Sequence, residues 1–116
     1  MNFDFLQHIL NPRKPTLGED AKRGEDAEAL LASAAFQTAL YRVRRGIHER
    51  FAASPVNDLE GQHELRLMLK ILDDIEGNLA ADVRDGKLAK EQLRLEQEAA
   101  KRKKEREERG FLRSIR

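Results

Sequence analysis

The chain has 116 residues, 22 Lys and Arg against 21 Asp and Glu, and no cysteine. That length holds one domain, and 40% apolar against 37% charged content leaves only a modest core, as in long solvent-facing helices. The missing cysteines exclude a disulfide framework, a thiolate nucleophile and a Cys-based zinc site.

Charge is unevenly spread. Residues 1–86 carry 11 Lys and Arg against 15 Asp and Glu, whereas residues 87–116 carry 11 against 6, which gives an acidic body and a basic tail. No run alternates convincingly as a strand, so the expected fold is all-α. The N-terminus lacks a basic leader with a long apolar stretch, and no apolar run approaches the ~18 residues of a spanning helix. Cytosolic synthesis without membrane insertion is the simple expectation.

In chain order, residues 1–10 read as a short amphipathic docking helix, capped by Asn2 or Asp4, with Phe3, Phe5, Leu6, Ile9 and Leu10 as its apolar content. A piece this short is marginal in water and needs a surface to fold on. Residues 11–18, with two prolines and a glycine, read as a linker. An acidic helix is expected over 19–32, with Glu19, Asp20, Glu25, Asp26 and Glu28 near its positive end and Gly24 as a tolerated weak point. Ser33 is a candidate cap for a second helix, although 19–53 could equally be one bent helix.

The organising stretch follows. Phe36, Leu40, Val43, Ile47 and Phe51 form one apolar seam, and Leu65, Met68, Leu72, Ile75 and Leu79 form another at steps of three and four. Ser54-Pro55-Val56-Asn57 stands between them as a turn. The expected architecture is an antiparallel hairpin of helices at about 34–53 and 58–84, inside a body of 19–86. Asn57 with Glu60 matches a capping box, with Asp58 as the alternative cap. Asp85-Gly86 is expected to end the second helix through a left-handed glycine. Residues 87–116 then form a charged helix to about 109, stopped by Gly110, with an apolar tip. Leu67, Leu69 and Ile71 widen the second helix's apolar face, so the hairpin is expected to be completed by another helix of the chain or by a second copy.

No catalytic constellation is present. His8, His48 and His63 are scattered, and the nearest metal motif, Glu60-Gly61-Gln62-His63, has no second copy in the chain. The expectation is therefore no enzyme, no cofactor and no metal. Arg42, Arg44, Arg45, His48 and Arg50 make a basic stretch on the first helix and Asp73, Asp74, Glu76 and Asp82 an acidic one on the second, expected to pair in part across the hairpin, with a ligand patch as the alternative. Lys101, Arg102, Lys103, Lys104 and Arg106 are candidates for nucleic-acid phosphate contact, against a solvated helix end held by pairs such as Glu98 with Arg102 and Lys101 with Glu105. Apolar residues at both tips, Phe3, Phe5, Leu6, Ile9 and Leu10 with Phe111, Leu112 and Ile115, are costly to leave bare and are the candidate partner-binding residues.

Several phrases occur together: Arg23-Gly24-Glu25 leading into Ala29-Leu30-Leu31, then Phe36, then Asp58-Leu59-Glu60-Gly61, Leu67-Met68-Leu69-Lys70 and Asp85-Gly86-Lys87-Leu88-Ala89. Over about residues 22–90 the run resembles small α-helical proteins of tailed bacteriophages, encoded near head-assembly and DNA-packaging genes. The resemblance implies an oligomeric structural or assembly protein in the host cytoplasm or the virion, which binds itself and a capsid, portal or other assembly protein. Its alternative is a packaging factor like the small terminase subunits, with DNA as partner. No functional residue carries across.

Overall fold

The computed structural model describes residues 13–115. It holds three helices, α1 (Leu17–Ala32), α2 (Ala34–Ala53) and α3 (Leu59–Ile115), and no strand among the described residues. The fold is all-α, as expected. The N-terminal docking helix lies outside the described residues.

Local chemistry sets the boundaries. α1 begins two residues earlier than expected because Thr16 caps it: the Thr16 hydroxyl accepts from the Glu19 N–H at 3.2 Å and meets the Glu19 carboxylate at 3.2 Å. Residues 11–18 are thus not a linker throughout. Ser33 separates α1 from α2 by serving both: its extended backbone donates to Leu30 O at 3.1 Å, and its Oγ accepts from Phe36 N–H at 3.3 Å. Two helices, not one bent helix, occupy 17–53. At the turn, Ser54 closes α2 with its N–H and hydroxyl on Phe51 O, and Asp58 rather than Asn57 caps α3, its Oδ1 accepting from Gly61 N–H at 3.1 Å.

The largest departure is α3 itself. The expected stop at Asp85-Gly86 does not occur, and neither does the one at Gly110; α3 is one helix of 57 residues, and no glycine of the described residues has positive φ. At 1.5 Å per residue such a helix is about 85 Å long, which accounts for the 90 × 31 × 23 Å extents. Gly86 has a different use. A Cβ on Gly86 would lie 2.7 Å from Gly24 Cα and 3.1 Å from Asp20 O, and one on Gly24 would lie 2.7 Å from Gly86 Cα and 2.8 Å from Asp82 O. The two glycines let the backbones of α1 and α3 touch, where any side chain would hold them apart.

Around that crossing the buried residues are small: Ala21, Gly24 and Ala27 on α1, Gly86 and Ala89 on α3. Lys90 Nζ locks the crossing from outside at 2.7 Å from Glu25 Oε1. That lysine holds the Glu25 carboxyl below the usual glutamate range. Arg13, 2.9 Å from Glu19 Oε1, does the same for Glu19.

Nearer the turn, α2 meets α3 through larger side chains. Leu40, Ile47 and Leu65 are buried, while Phe36, Phe51, Leu72 and Leu79 are half-buried. The Arg66 guanidinium lies 5.7 Å from the Phe51 ring centroid, near enough for a cation–π contact. The expected seam holds at those seven positions and slips by one residue at the other three: Val43 (49% exposed), Met68 (39%) and Ile75 (42%) stand outside it, and half-buried Arg44, Leu69 and Glu76 take their places. Arg44 reaches Asp73 at 2.8 Å and Glu76 at 2.6 Å. The Glu76 Oε1 atom is shut off from solvent, so this guanidinium is the charge that neutralises it.

Two expected outcomes follow from these contacts. Ala in place of an exposed helical glycine stabilises by about 0.5–1 kcal/mol, and Gly77→Ala, with nothing within 4 Å of the new Cβ, should do so in thermal melts followed by circular dichroism. Gly24→Ala and Gly86→Ala should instead lower the melting temperature, by overpacking worth about 1–3 kcal/mol. For Glu25 the folded pKa is depressed, so its contribution is full above the usual glutamate range and is lost as pH falls through the folded value. The melting-temperature gap between the wild-type chain and Glu25→Gln should be present at neutral pH and close as pH falls through the depressed folded value.

Candidate interaction surface

Beyond Leu93 no other described helix packs on α3: every described residue from 99 to 115 is exposed. The helix is held there by its own charges. Arg94 bridges Glu91 and Glu98 at 2.6 Å each, and Glu91 and Glu98 push the Arg94 pKa further up, so it stays charged. The expected Glu98–Arg102 pair forms at 3.9 Å, whereas Lys101 and Glu105 make no ion pair among the described residues. Pairs of this kind add about 0.2–0.5 kcal/mol each to a solitary helix.

Helical continuity re-sorts the basic residues. Arg102, Arg106, Arg109 and Arg113 recur at steps of four, three and four, share one face, and line a shallow concavity with Glu105 and Gly110. Of the five cations singled out for phosphate contact, only Arg102 and Arg106 belong to this row; Lys101, Lys103 and Lys104 fall on other sides of the rod. Arg109 and Arg113 stand outside the consecutive run Lys101–Lys104, and only their helical period joins them to the row. Another face carries Phe111 and Leu112 beside Lys104, Glu107 and Glu108. Phe111, Leu112 and Ile115 are all exposed at the tip. Phe3, Phe5, Leu6, Ile9 and Leu10 lie outside the described residues.

A second surface flanks the α2–α3 contact. Val43, Gly46 and Ile47 on α2 and Met68, Ile71 and Leu72 on α3 line one groove, with Arg42 and Arg50 on its α2 wall. Arg50 and Met68 also line an adjoining hollow that runs to the turn past Ser54, Pro55, Asp58, Gly61 and Glu64. Of the basic set on α2, Arg44 is committed to Asp73 and Glu76, and Arg45 to Glu49 at 2.9 Å. Among the described residues, pairing across to α3 thus forms at Arg44 alone of this set, Arg45 pairs within α2, and Arg42 and Arg50 are left at the groove.

Among the described residues no three His, Asp or Glu side chains gather as a metal-holding group, and no helix is long and apolar enough to cross a membrane. Comparisons with protein families, with characterised proteins and with solved structures find no match to the chain. The surface has to be read from its own chemistry.

Because residues 101–115 pack on no other helix among the described residues, ending the chain after Ala100 should change the stability of the remainder by less than about 0.5 kcal/mol. Limited trypsin digestion read by mass spectrometry should cut first in the Lys101–Arg113 stretch and leave the α1–α3 crossing intact.

Proposed function

We propose that the chain is a non-enzymatic helical interaction protein that works as an oligomer. In this reading α2 and α3 form an antiparallel hairpin braced by α1, and the rod beyond it holds an apolar tip out for a partner protein. The observation that carries it is the run of exposed apolar side chains along α3, Met68, Ile71 and Ile75 beside α2 and Phe111, Leu112 and Ile115 at the tip. Such surface is costly in water and marks contact with other chains. The contact of Arg44 with Asp73 and Glu76, and of Glu25 with Lys90, supports the antiparallel course, since position falls on one helix as it rises on the other.

The phage resemblance supplies a context: an assembly component of the host cytoplasm or virion, joined to a capsid, portal or similar protein through its terminal segments. The arginine row favours a second reading, a packaging factor resembling small terminase subunits. Four guanidiniums on one face of a free helix suit a phosphate backbone, and binding would weaken steeply with salt.

Deleting residues 110–116 should abolish capture of the partner from phage-infected lysate and leave helicity unchanged. Arg106→Ala with Arg109→Ala should leave that capture intact. If the packaging reading holds instead, the arginine variant loses a salt-sensitive DNA shift and the tip deletion does not.

A further inference from the structure

The residues Met68, Ile75, Asp82 and Ala89 recur every seven along α3 and therefore lie on one line of its surface. α1 covers the far half of that line, where Ala89 is 4% exposed and Asp82 O faces Gly24. The near half is bare, with Met68 39% and Ile75 42% exposed, and Ile71 beside them 58% exposed. The molecule itself thus shows what kind of object fits this line, namely a helix with small residues on its contact face. α2 carries such a face on its own outer side, where Ala39, Gly46 and Ala53 recur every seven residues and the space around Gly46 is open to 4 Å.

The charges beside the groove select the occupant. Arg42 and Arg50 stand on the α2 wall. On α3, Glu64, Leu67, Ile71 and Asp74 follow at steps of three, four and three and share its outer face, so that wall is acidic. Arg42, Arg50, Glu64 and Asp74 are all exposed, and none has an ion-pair partner among the described residues. Arg50 and Glu64 stand on opposite walls of the adjoining hollow near the turn, and Arg42 lines the groove with Ile71 and Leu72, one turn along α3 from Asp74, which lies just outside it. One wall is basic, the other acidic, and the two are matched in height.

We propose that this groove is filled by a second copy of the chain, related by a two-fold axis parallel to the helices. Such an axis brings the basic wall of each copy onto the acidic wall of the other at the same height, Arg50 against Glu64 of the partner subunit and Arg42 against the partner's Asp74. A two-fold perpendicular to the helices would set basic on basic and acidic on acidic. In the parallel arrangement α2 of each copy lies between its own α3 and the partner's, giving a four-helix bundle of alternating direction with Val43, Met68, Ile71 and Ile75 in its core. Both α3 tails leave from the same end. The inference rests on the oligomeric hairpin of the preceding section and specifies its face and orientation.

The test uses two charge-reversed forms of the full chain, Arg42→Glu with Arg50→Glu and Glu64→Lys with Asp74→Lys, each checked for unchanged helicity. By sedimentation equilibrium the wild-type chain should dimerise, and each variant alone should dimerise about tenfold or more weakly. The two mixed should form a heterodimer of wild-type strength, because every contact across it joins opposite charges again. A third form carrying all four reversals should dimerise with itself at wild-type strength, and its pairing with the wild-type chain in preference to itself overturns the parallel arrangement. A dimer indifferent to both reversals overturns this interface and leaves self-association standing. A wild-type monomer at all concentrations overturns the oligomeric reading as well.

Discussion

The contact on which the rest depends is backbone against backbone at Gly24 and Gly86. Because a Cβ on either would fall within 2.7 Å of the other's Cα, the two helices meet at a distance that no other residue pair permits. That closeness is what makes alanines sufficient as a core there, since Ala21, Ala27 and Ala89 reach across a gap that normally takes leucine. It also requires α3 to stay helical through Gly86. The residue that looked like the end of one helix is the reason it can continue beneath another.

α3 is consequently one rod in three zones. Its first zone meets α2 through Leu65 and Leu72, its second meets α1 through Gly86 and Ala89, and its third meets no other described helix. The transition from large to small residues along the same heptad line lets α1 lie closer to α3 than α2 does. The core that results is thin: among the described residues six hydrophobic ones are buried, and no large side chain is fully so. With conformational entropy opposing folding at about 1–2 kcal/mol per residue for the backbone, a core this slender gains from every further apolar surface laid on it. The proposed completion of the bundle by a second copy would serve stability and recognition through one set of contacts.

Much of this was legible before any coordinates. The all-α class followed from periodicity, and Ser33 and Asp58 could be named as caps because Ser and Asp side chains have few other local uses before a helix. The Thr16 cap was equally written in Thr16-Leu17-Gly18-Glu19, but two prolines just upstream drew the reading toward a linker. Gly86 was misread for a deeper reason: Asp-Gly carries the same local signal whether the glycine turns out of a helix or admits a neighbour, and only the partner glycine 62 positions away decides. The seam erred by one residue because hydrophobicity alone ranks Val43 above Arg44, whereas the fold gives the inward position to the longer side chain that can reach two carboxylates. The arginine row became visible only with the helix unbroken, since its members are in phase only if Gly110 does not interrupt them.

An uninterrupted α3 also fixes azimuth. Each residue turns the rod by about 100°, so the direction in which Arg102, Arg106, Arg109 and Arg113 point, and that of Phe111 and Leu112, is geared to the setting of α1 and α2 on the same shaft. Lengthening the shaft near residue 98 by a single residue would swing the whole far end to another compass bearing and advance it only about 1.5 Å. Lengthening it by seven would nearly restore the bearing and carry the end about 10 Å farther out. Angle and reach are thus separable quantities in this molecule, each set by the count of residues between the glycine crossing and the tip.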